Sequence, residues 1–357
     1  MVARLDGYEP AGTGRAGMTE DEWRGGLAPH YDYMLTGRPE DPAMRESASI
    51  WLFEENGEFG FPRQGIEAIG AVWDNHRYDC NFAFADGRAL YEGRADGKSH
   101  SPIGVDGRAT VLGSGGLAFH CIEPYKRWRV VYEGMPMDTT TQAIIDRAAD
   151  PDHRTPVRYE VELEMVTPCW VQDNTPERLV GLSEREMDDA RSMGLGYRME
   201  HHFRGSGELT IDGQTRSFNC VGNRIHRQSV RPLEGFRGHC WQAAVFPDGR
   251  AFAYIAYPPA EDGSTYNEGY VYENGTMYPA VASRIPWLDE LVASGEDVGL
   301  ELEYALGKAT IGGVGCLNTF KSGLAEMPGF SLNQGGARYT WDGQSAYGMV
   351  ERSVLKG

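Results

Sequence analysis

The chain has 357 residues, of which 41% are hydrophobic, a length and composition that predict about two folded domains. Its formal net charge of −18 disfavours nucleic acids and anionic membranes as partners, because both would repel it and no run of Lys or Arg interrupts the acidic sequence. The sequence has neither a secretory signal nor an apolar stretch long enough to span a membrane, so we expect a cytoplasmic protein. The 6 cysteines form no C-x-x-C pair and are predicted to be reduced, buried thiols.

In chain order, the first predicted element is a short helix opened by the capping box Thr19-Glu20-Asp21-Glu22. Strands follow, because apolar and polar residues alternate along residues 77–84, and again along 158–165 and 300–304. A second capping box, Ser183-Glu184-Arg185-Glu186, opens another helix. Two more short helices are predicted over residues 139–148 and 286–292.

Turn dipeptides separate these runs throughout the chain. Asp-Gly occurs at 86–87, 96–97, 106–107, 212–213, 248–249, 262–263 and 342–343, and Asn-Gly at 56–57 and 274–275. Such pairs accept the positive φ of the tight turns that join antiparallel strands. No strand–helix–strand rhythm accompanies them, so the glycines of residues 113–116 are read as a turn and a Rossmann-type sheet is not expected. The predicted fold class is all-β, with antiparallel strands that form barrels or a sandwich and a few short helices.

One internal similarity suggests how the chain divides. The hairpin sequence at residues 84–89 (FADGRA) recurs at residues 246–251 (FPDGRA). A shared turn preference would explain the similarity, but the separation matches one domain and favours a duplicated β unit. We therefore expect an N-terminal extension over residues 1–45, a first β domain over 46–199 and a second over 200–357.

Residues 222–241 hold the densest group of Arg and His side chains in this acidic chain. It contains His226, His239, Arg224, Arg227, Arg231, Arg237 and Glu234. These residue types can bind oxygen functions and move protons near neutral pH, which indicates a small-molecule site. The alternative is that they satisfy buried polar groups between the two domains.

Several motifs in this region and elsewhere resemble those of the carotenoid 1,2-hydratase-like superfamily, which includes kievitone hydratase and decalin-forming cyclases. They are the Gly222-x-x-x-His226-Arg227 stretch with Arg231, the Gly238-His239-Cys240-Trp241 segment with residues 246–250, the ending from Tyr339 to Glu351, residues 47–57, and Glu123-Pro124 with Trp128. The resemblance covers about residues 46 to 357. It implies two lipocalin-like β barrels with a largely apolar ligand cavity in or between them, and no metal or organic cofactor.

The chain departs from the superfamily pattern just after the His-Arg pair. Many relatives carry an acidic residue there, whereas this chain has Gln228-Ser229. Alkene hydration by that acid therefore cannot be assumed, and elimination or isomerisation must be considered. Another acid or base is needed, and the candidates for a catalytic role are His226, His239 and Glu351. A buried Glu is a usable acid or base, although Glu351 could equally form a structural salt bridge.

Aromatic residues are abundant, with 8 Trp, 18 Tyr and 13 Phe, and they could enclose an apolar substrate. The candidate substrate-binding residues are Arg227, Arg231, Trp51, Trp73, Trp241, Tyr254 and Tyr272. A three-histidine metal site of His120, His226 and His239 is a weaker alternative, because the chain lacks closely spaced ligands.

Two functions fit the sequence best. The first is a cofactor-independent lyase-type enzyme, meaning a hydratase, dehydratase, isomerase or cyclase, that acts on a hydrophobic terpenoid, steroid or polycyclic aromatic compound. The second is a carrier of hydrophobic ligands, which needs no proton donor or base in its cavity. A purely structural or interaction module, with no cavity at all, is the third possibility.

Overall fold

The computed structural model describes residues 17–175, 177, 179–231, 236–263, 265–324 and 327–355, and nearly all of its regular structure is antiparallel β. The helices are α1 (Glu20–Trp23), α2 (Thr141–Ile145) and α3 (Glu184–Met193), with 3-10 turns at Pro29–Asp32 and Gly70–Val72. The strands are β1 (Met44–Glu54), β2 (Phe59–Ile69), β3 (Asn75–Phe84), β4 (Arg88–Lys98), β5 (Val111–Ser114), β6 (Leu117–Glu123), β7 (Arg127–Gly134), β8 (Met137–Thr140), β9 (Val157–Met165), β10 (Trp170–Asn174), β11 (Leu195–Ile211), β12 (Gln214–Val230), β13 (Gly238–Val245), β14 (Ala251–Ala256), β15 (Asn267–Glu273), β16 (Thr276–Arg284), β17 (Leu300–Tyr304), β18 (Gly307–Leu324), β19 (Met327–Trp341) and β20 (Gln344–Leu355).

The first unit is a 12-stranded sheet with the order β5-β6-β7-β9-β11-β12-β1-β2-β3-β4-β8, in which β10 pairs with β11. The sheet curls on itself, since the backbone of Gly115 donates a hydrogen bond to Lys98 O and His100 N donates one to Gly113 O. Its concave side holds an aromatic and aliphatic core that includes Phe61, Phe82 and Tyr159.

The second unit is a closed barrel of 8 strands, β13 to β20 in chain order. Its interior is filled by packed side chains such as Phe252, Tyr339 and Trp341. A separate core lies between the sheet and the barrel, where Trp51 and Ile225 of the sheet pack with Trp241 of the barrel. The all-β prediction is confirmed.

Most local predictions agree with the structure. Both capping boxes form, at the starts of α1 and α3, because the Thr19 and Ser183 hydroxyls accept backbone hydrogen bonds three residues on. The two FxDGRA segments are the β3–β4 and β13–β14 hairpin turns. In each, the turn aspartate (Asp86 or Asp248) accepts a hydrogen bond from the backbone N of the following arginine.

Three expectations differ from the structure. Asp96-Gly97 is not a turn, because both residues lie in β4 and pair with β3. Residues 286–292 form no helix but cross between β16 and β17 as irregular chain. The first unit does not end at 199/200, because the long strands β11 and β12 pair with β9 and β1, so the sheet continues to Val230 and the barrel begins with β13 at Gly238.

Strand alternation decides which side chains meet the barrel. Along β1, Ala48, Ile50 and Leu52 face the core of the first unit. Their neighbours Trp51 and Phe53 face the barrel. Successive side chains of a strand point to opposite faces, so alternate residues in the parts of β1, β11 and β12 that lie next to the barrel reach the contact between the units. The candidate site lies in that contact.

Candidate functional site between the two units

A small polar cavity of about 60 Å³ lies between the sheet and the barrel. Strands β1, β2, β11 and β12 line one side, and β13, β14 and β20 line the other. The lining residues are Ser47, Ser49, Trp51, Arg63, Glu67, Met193, Arg198, Ile225, Arg227, Arg231, His239, Trp241, Ile255 and Glu351. The structure thus brings together six of the residues predicted from the sequence: His239, Glu351, Arg227, Arg231, Trp51 and Trp241.

On the barrel side, His239 and Glu351 form a hydrogen-bonded pair. His239 Nε2 lies 3.1 Å from Glu351 Oε1. The second nitrogen, Nδ1, lies 2.7 Å from the Ser353 hydroxyl, and Gln334 Nε2 donates to Glu351 Oε2 at 2.8 Å. Both residues of the pair are more than nine-tenths buried. Because each end of the pair is held by a further side chain, its orientation toward the cavity is defined before a ligand arrives.

The charge state of Glu351 follows from these contacts. Burial by itself would raise the pKa of the Glu351 carboxyl, but the hydrogen bond and charge of His239, the charge of Arg63 and the hydrogen bond from Gln334 lower it to about 2. Glu351 is therefore a carboxylate at neutral pH. The idea that burial makes Glu351 a proton donor is wrong, since its partners outweigh the effect of burial.

On the sheet side, four arginines line the cavity and differ in their partners. Arg198 pairs with Glu200 at 2.9 Å. Arg63 lies 3.4 Å from both Glu67 and Asp79. These two cations are compensated by carboxylates of the protein.

The other two arginines make no ion pair with any carboxylate of the described residues. Arg231 Nε donates to the Ser192 carbonyl at 2.9 Å. Arg227, more than nine-tenths buried, makes a 3.7 Å contact from Nη2 to the Met193 sulfur. Burial, followed by the charges of Arg231 and Arg198, lowers the pKa of Arg227 well below its usual range. The cavity therefore holds an excess of positive charge.

His226 does not belong to this cavity, which corrects the expectation that it converges with His239. It follows Ile225 and precedes Arg227 on β12, so its side chain points to the opposite face. There it is fully buried, with Nδ1 3.3 Å from Asp32 and Nε2 3.3 Å from Glu46. Asp32 also pairs with Arg224 at 2.8 Å. This network ties the N-terminal segment to the core of the first unit.

Three aromatic candidates also lie elsewhere. Trp73 is partly buried against the core of the first unit, with its ring 5.3 Å from that of His76. Tyr254 lies inside the barrel, where its hydroxyl donates to Gln242 at 2.5 Å. Tyr272 is buried in the core between the units but does not line the cavity. These three residues do not line the cavity, because strand alternation, which the sequence shows, does not say which of the two faces of a strand meets it.

The sequence analysis missed Arg63, Arg198 and Glu67. Arg63 lies at an irregularity in the pairing of β2 with β3 and has a φ of 78°, a left-handed conformation that turns its side chain toward Trp51 and the cavity. Arg198 lies directly opposite Arg227 on the neighbouring strand and stacks 4.4 Å from the Trp241 ring. No local sequence signal distinguishes either residue, because both depend on strand register.

Two larger clefts, of about 950 and 700 Å³, open at the surface where the units meet. Neither includes His239, Glu351 or the unpaired arginines. Among the described residues, no three His, Cys, Asp or Glu side chains are grouped to hold a metal ion, and His120, His226 and His239 lie on β6, β12 and β13. No helix in the described part of the chain is long and apolar enough to cross a membrane.

The motifs led us to expect a member of the carotenoid 1,2-hydratase-like superfamily, and the two-unit all-β architecture agrees with the fold expected of it. Residues 30–355 match the family described as "Domain of unknown function (DUF7064)", and the chain belongs to that family. A search of the curated proteins finds no match.

Solved structures share this fold at low sequence identity. An AttH-like protein of Nitrosomonas europaea superposes with a TM-score of 0.55 and 14% identity, over 92% of this chain and 100% of that one. CghA with Sch210972 gives 0.49 and 12%, over 88% and 89% of the two chains. Kievitone hydratase of Nectria haematococca gives 0.49 and 8%, over 91% and 93%. At 14% identity the likeness to the AttH-like protein describes the fold alone.

Proposed function

We propose that the protein is a cofactor-independent lyase or isomerase that removes a proton from a hydrophobic small molecule next to an oxygen function. The observation that carries this proposal is the ionised Glu351, hydrogen-bonded to His239, facing a cavity whose opposite wall holds Arg227 and Arg231. A base on one side and uncompensated cations on the other are the two parts that enolate-forming chemistry requires.

The chemistry divides between the two walls. The His239–Glu351 pair takes the proton from the carbon beside a carbonyl, and the electron pair of the broken C–H bond moves onto the carbonyl oxygen. The arginine guanidiniums stabilise that oxyanion, because they keep their charge and offer several donors in a fixed plane. The electron pair then returns from the oxygen, the C–O bond at the next carbon breaks, and the departing hydroxyl takes up the proton held by the His239–Glu351 pair, so that an elimination ends with release of water. Return of the proton to a different carbon completes an isomerisation.

This order of events is favoured over alkene hydration by the charge of Glu351. Hydration of an isolated double bond begins with a proton donor, and a carboxyl with a pKa of about 2 holds no proton at neutral pH. Glu351 can therefore act only as a proton acceptor, or as the partner that holds His239 in position for that role. The departure at Gln228, where many relatives carry an acid, agrees with a reaction other than hydration.

The size of the cavity limits which part of the substrate it holds. About 60 Å³ accommodates the reacting oxygen function and not a terpenoid, steroid or polycyclic body. Next to His239 lies an aromatic group in which the Phe236 ring is 5.8 Å from the His239 ring, 5.8 Å from that of Tyr257 and 6.4 Å from that of Phe330. We propose that the apolar body of the substrate binds along these rings.

Proton abstraction can be tested before the natural substrate is known. Hydrophobic ketones of the terpenoid, steroid and polycyclic aromatic classes are incubated with the protein in ²H₂O, and deuterium incorporation beside the carbonyl is measured by mass spectrometry. The wild type is expected to accelerate exchange for at least one class. Glu351→Gln, which keeps the size and polarity of the side chain, should lower that rate about 10²–10⁴-fold.

The control is Tyr254→Phe, inside the barrel and away from the cavity, which should retain the exchange rate. His239→Ala should reduce exchange while the far-UV circular dichroism stays unchanged. Full exchange in Glu351→Gln would show that the base lies elsewhere. Binding of a ketone without any exchange by the wild type would instead support the carrier function.

A further inference from the structure

We propose that the cavity binds the carboxylate of its small-molecule ligand between Arg198 and Arg227, with Arg231 beside them. This names the substrate class of the proposed enzyme, a hydrophobic carboxylic acid, and so rests on that proposed function. The binding of the carboxylate can nevertheless be measured independently of catalysis.

The strand register places two arginines side by side, and a bound anion would reduce the repulsion between them. Arg198 on β11 and Arg227 on β12 are direct cross-strand partners, and both side chains line the cavity. Like charges placed directly opposite each other on a sheet are destabilising. One carboxylate, Glu200, pairs with Arg198. Two neighbouring guanidiniums that share one carboxylate leave room for a second anion.

Arg227 is the cation that this anion would compensate. A buried charge is costly unless it is paired and hydrogen-bonded. The contact that the structure gives the Arg227 guanidinium among the described residues is the 3.7 Å one to the Met193 sulfur, a weak acceptor. Its direct neighbours across the sheet are Arg198 on one side and Ser47 on the other, so neither supplies negative charge.

The net charge of the whole cavity lining also favours a bound anion. Leaving His239 aside, the lining and its ion-pair partners hold six cations and four carboxylates, an excess of two positive charges. The cations are the 4 lining arginines, Arg45 and Lys321, and the carboxylates are Glu67, Glu351, Glu200 and Asp79. Glu67 is already shared, 3.4 Å from Arg63 and 3.7 Å from Arg45. Glu351 is held by His239 and Gln334. The planar fork of an arginine matches a carboxylate with two parallel hydrogen bonds.

The apolar residues of the lining favour a carboxylate on an apolar body over a free inorganic anion. Besides its charged groups and the hydroxyls of Ser47 and Ser49, the cavity is lined by Met193, Ile225, Ile255 and the rings of Trp51 and Trp241. The two indoles pack edge to face, with their centroids 4.7 Å apart. A fully hydrated anion such as phosphate gains nothing from these surfaces, whereas an organic acid buries its carbon atoms against them.

Acetate is a suitable first probe, because it is a carboxylate small enough for the cavity as it stands. Thermal unfolding of the full-length protein is followed with increasing sodium acetate, with acetamide as the neutral analogue and sodium chloride at equal ionic strength. The apparent affinity is taken from the shift in unfolding temperature. We expect acetate to stabilise the wild type and acetamide not to do so. Sodium phosphate in place of acetate distinguishes an organic carboxylate from a general anion requirement.

Arg227→Met and Arg63→Met form a matched pair of variants of the cavity wall. Arg227→Met should unfold at a higher temperature than the wild type in the absence of ligand, because it removes an unpaired buried charge. It should also weaken acetate binding at least about tenfold, since a hydrogen bond to a charged group is lost. Arg63→Met should unfold at a lower temperature, because it leaves Glu67 and Asp79 without their partner.

Three results would overturn the carboxylate site. They are equal stabilisation by acetate and acetamide, equal acetate affinity in wild type and Arg227→Met, and a lower unfolding temperature of ligand-free Arg227→Met. A preference for phosphate over acetate would assign the arginines to an inorganic or phosphorylated ligand instead. Glu351→Gln separates this proposal from the enzymatic one, because it should lose proton exchange but keep the acetate response.

Discussion

Asp32→Asn should strongly destabilise the first unit, because Asp32 is the shared acceptor of a fully buried network. Its Oδ1 accepts from Arg224 Nη2 at 2.8 Å and from His226 Nδ1 at 3.3 Å. Its Oδ2 accepts from the backbone N of Tyr125 at 2.6 Å and from the Trp128 indole N–H at 3.3 Å. All four contacts need an acceptor at both oxygens, and an asparagine offers only one.

The magnitude follows from burial. Asp32 and Arg224 side chains are both 0% exposed, so the substitution leaves an uncompensated guanidinium in the protein interior. Breaking a buried ion pair by removing one partner typically costs about 3–5 kcal/mol. That is a large fraction of the roughly 5–15 kcal/mol by which a domain is stable.

The assay is urea unfolding followed by circular dichroism, combined with hydrogen exchange read by mass spectrometry. Exchange should accelerate in β1, β11 and β12 more than in the barrel strands β13 to β20. Asp106→Asn is the matched control, because Asp106 pairs with Arg108 at 2.6 Å on an exposed loop and should leave the urea midpoint unchanged. A loss below about 1 kcal/mol for Asp32→Asn would refute the view that this network anchors the N-terminal segment.

The same variant tests how the stability of the protein depends on pH in the acid range. Burial raises the pKa of Asp32, but the charge of Arg224 and the contacts with His226 outweigh it and lower the pKa below the usual range. A carboxyl with a depressed folded pKa stabilises above its unfolded pKa of about 4 and loses that contribution as the pH falls below it. Wild type should therefore lose stability below about pH 4 more steeply than Asp32→Asn.

Two further predictions concern His226 and the pairing of β12 with β1. Burial lowers the pKa of His226, but its hydrogen bonds to Asp32 and Glu46 outweigh this and raise it, so its contribution is fully present below about pH 6.5 and lost as the pH rises through the folded value. Urea midpoints from pH 6 to 9 should therefore fall more for wild type than for His226→Gln, and parallel curves would contradict this. Gly222→Ala should lower the unfolding temperature, since its Cβ would lie 2.0 Å from Trp51 O, whereas Gly37→Ala meets no heavy atom within 4 Å and should not. Equal unfolding temperatures for the two glycine variants would show that β12 can shift away from β1.

Much of the fold was predictable from sequence because its signals are local. The alternation of apolar and charged residues along 158–165 depends only on which face of the strand is exposed to solvent, and it matches β9. The Asp-Gly turn at 212–213 depends on the positive φ that Asp212 and Gly213 adopt there. The capping boxes of α1 and α3 likewise need only three or four neighbouring residues.

Predictions from the sequence failed where the local structure depends on residues that are far away in the chain. Asp96-Gly97 has the sequence of a turn but is held straight by backbone pairing with β3. The boundary between the units was misplaced because β12 pairs with β1, which lies far away in the sequence. A local pattern can show that β12 is a strand, but it cannot show on which sheet the strand lies.

The candidate site, too, was predictable in its local features and not in those that depend on long-range packing. The concentration of Arg and His in residues 222–241 can be read from the chain, and strand alternation requires His226 and Arg227 to point to opposite faces. Which face meets the barrel depends on how the sheet packs, and this packing places Arg227 opposite the His239–Glu351 pair across the cavity. The charge of Glu351 was equally a tertiary matter, because its pKa depends on partners drawn together from separate strands. The burial of a side chain and the partners that shift its pKa both arise only when the chain is folded.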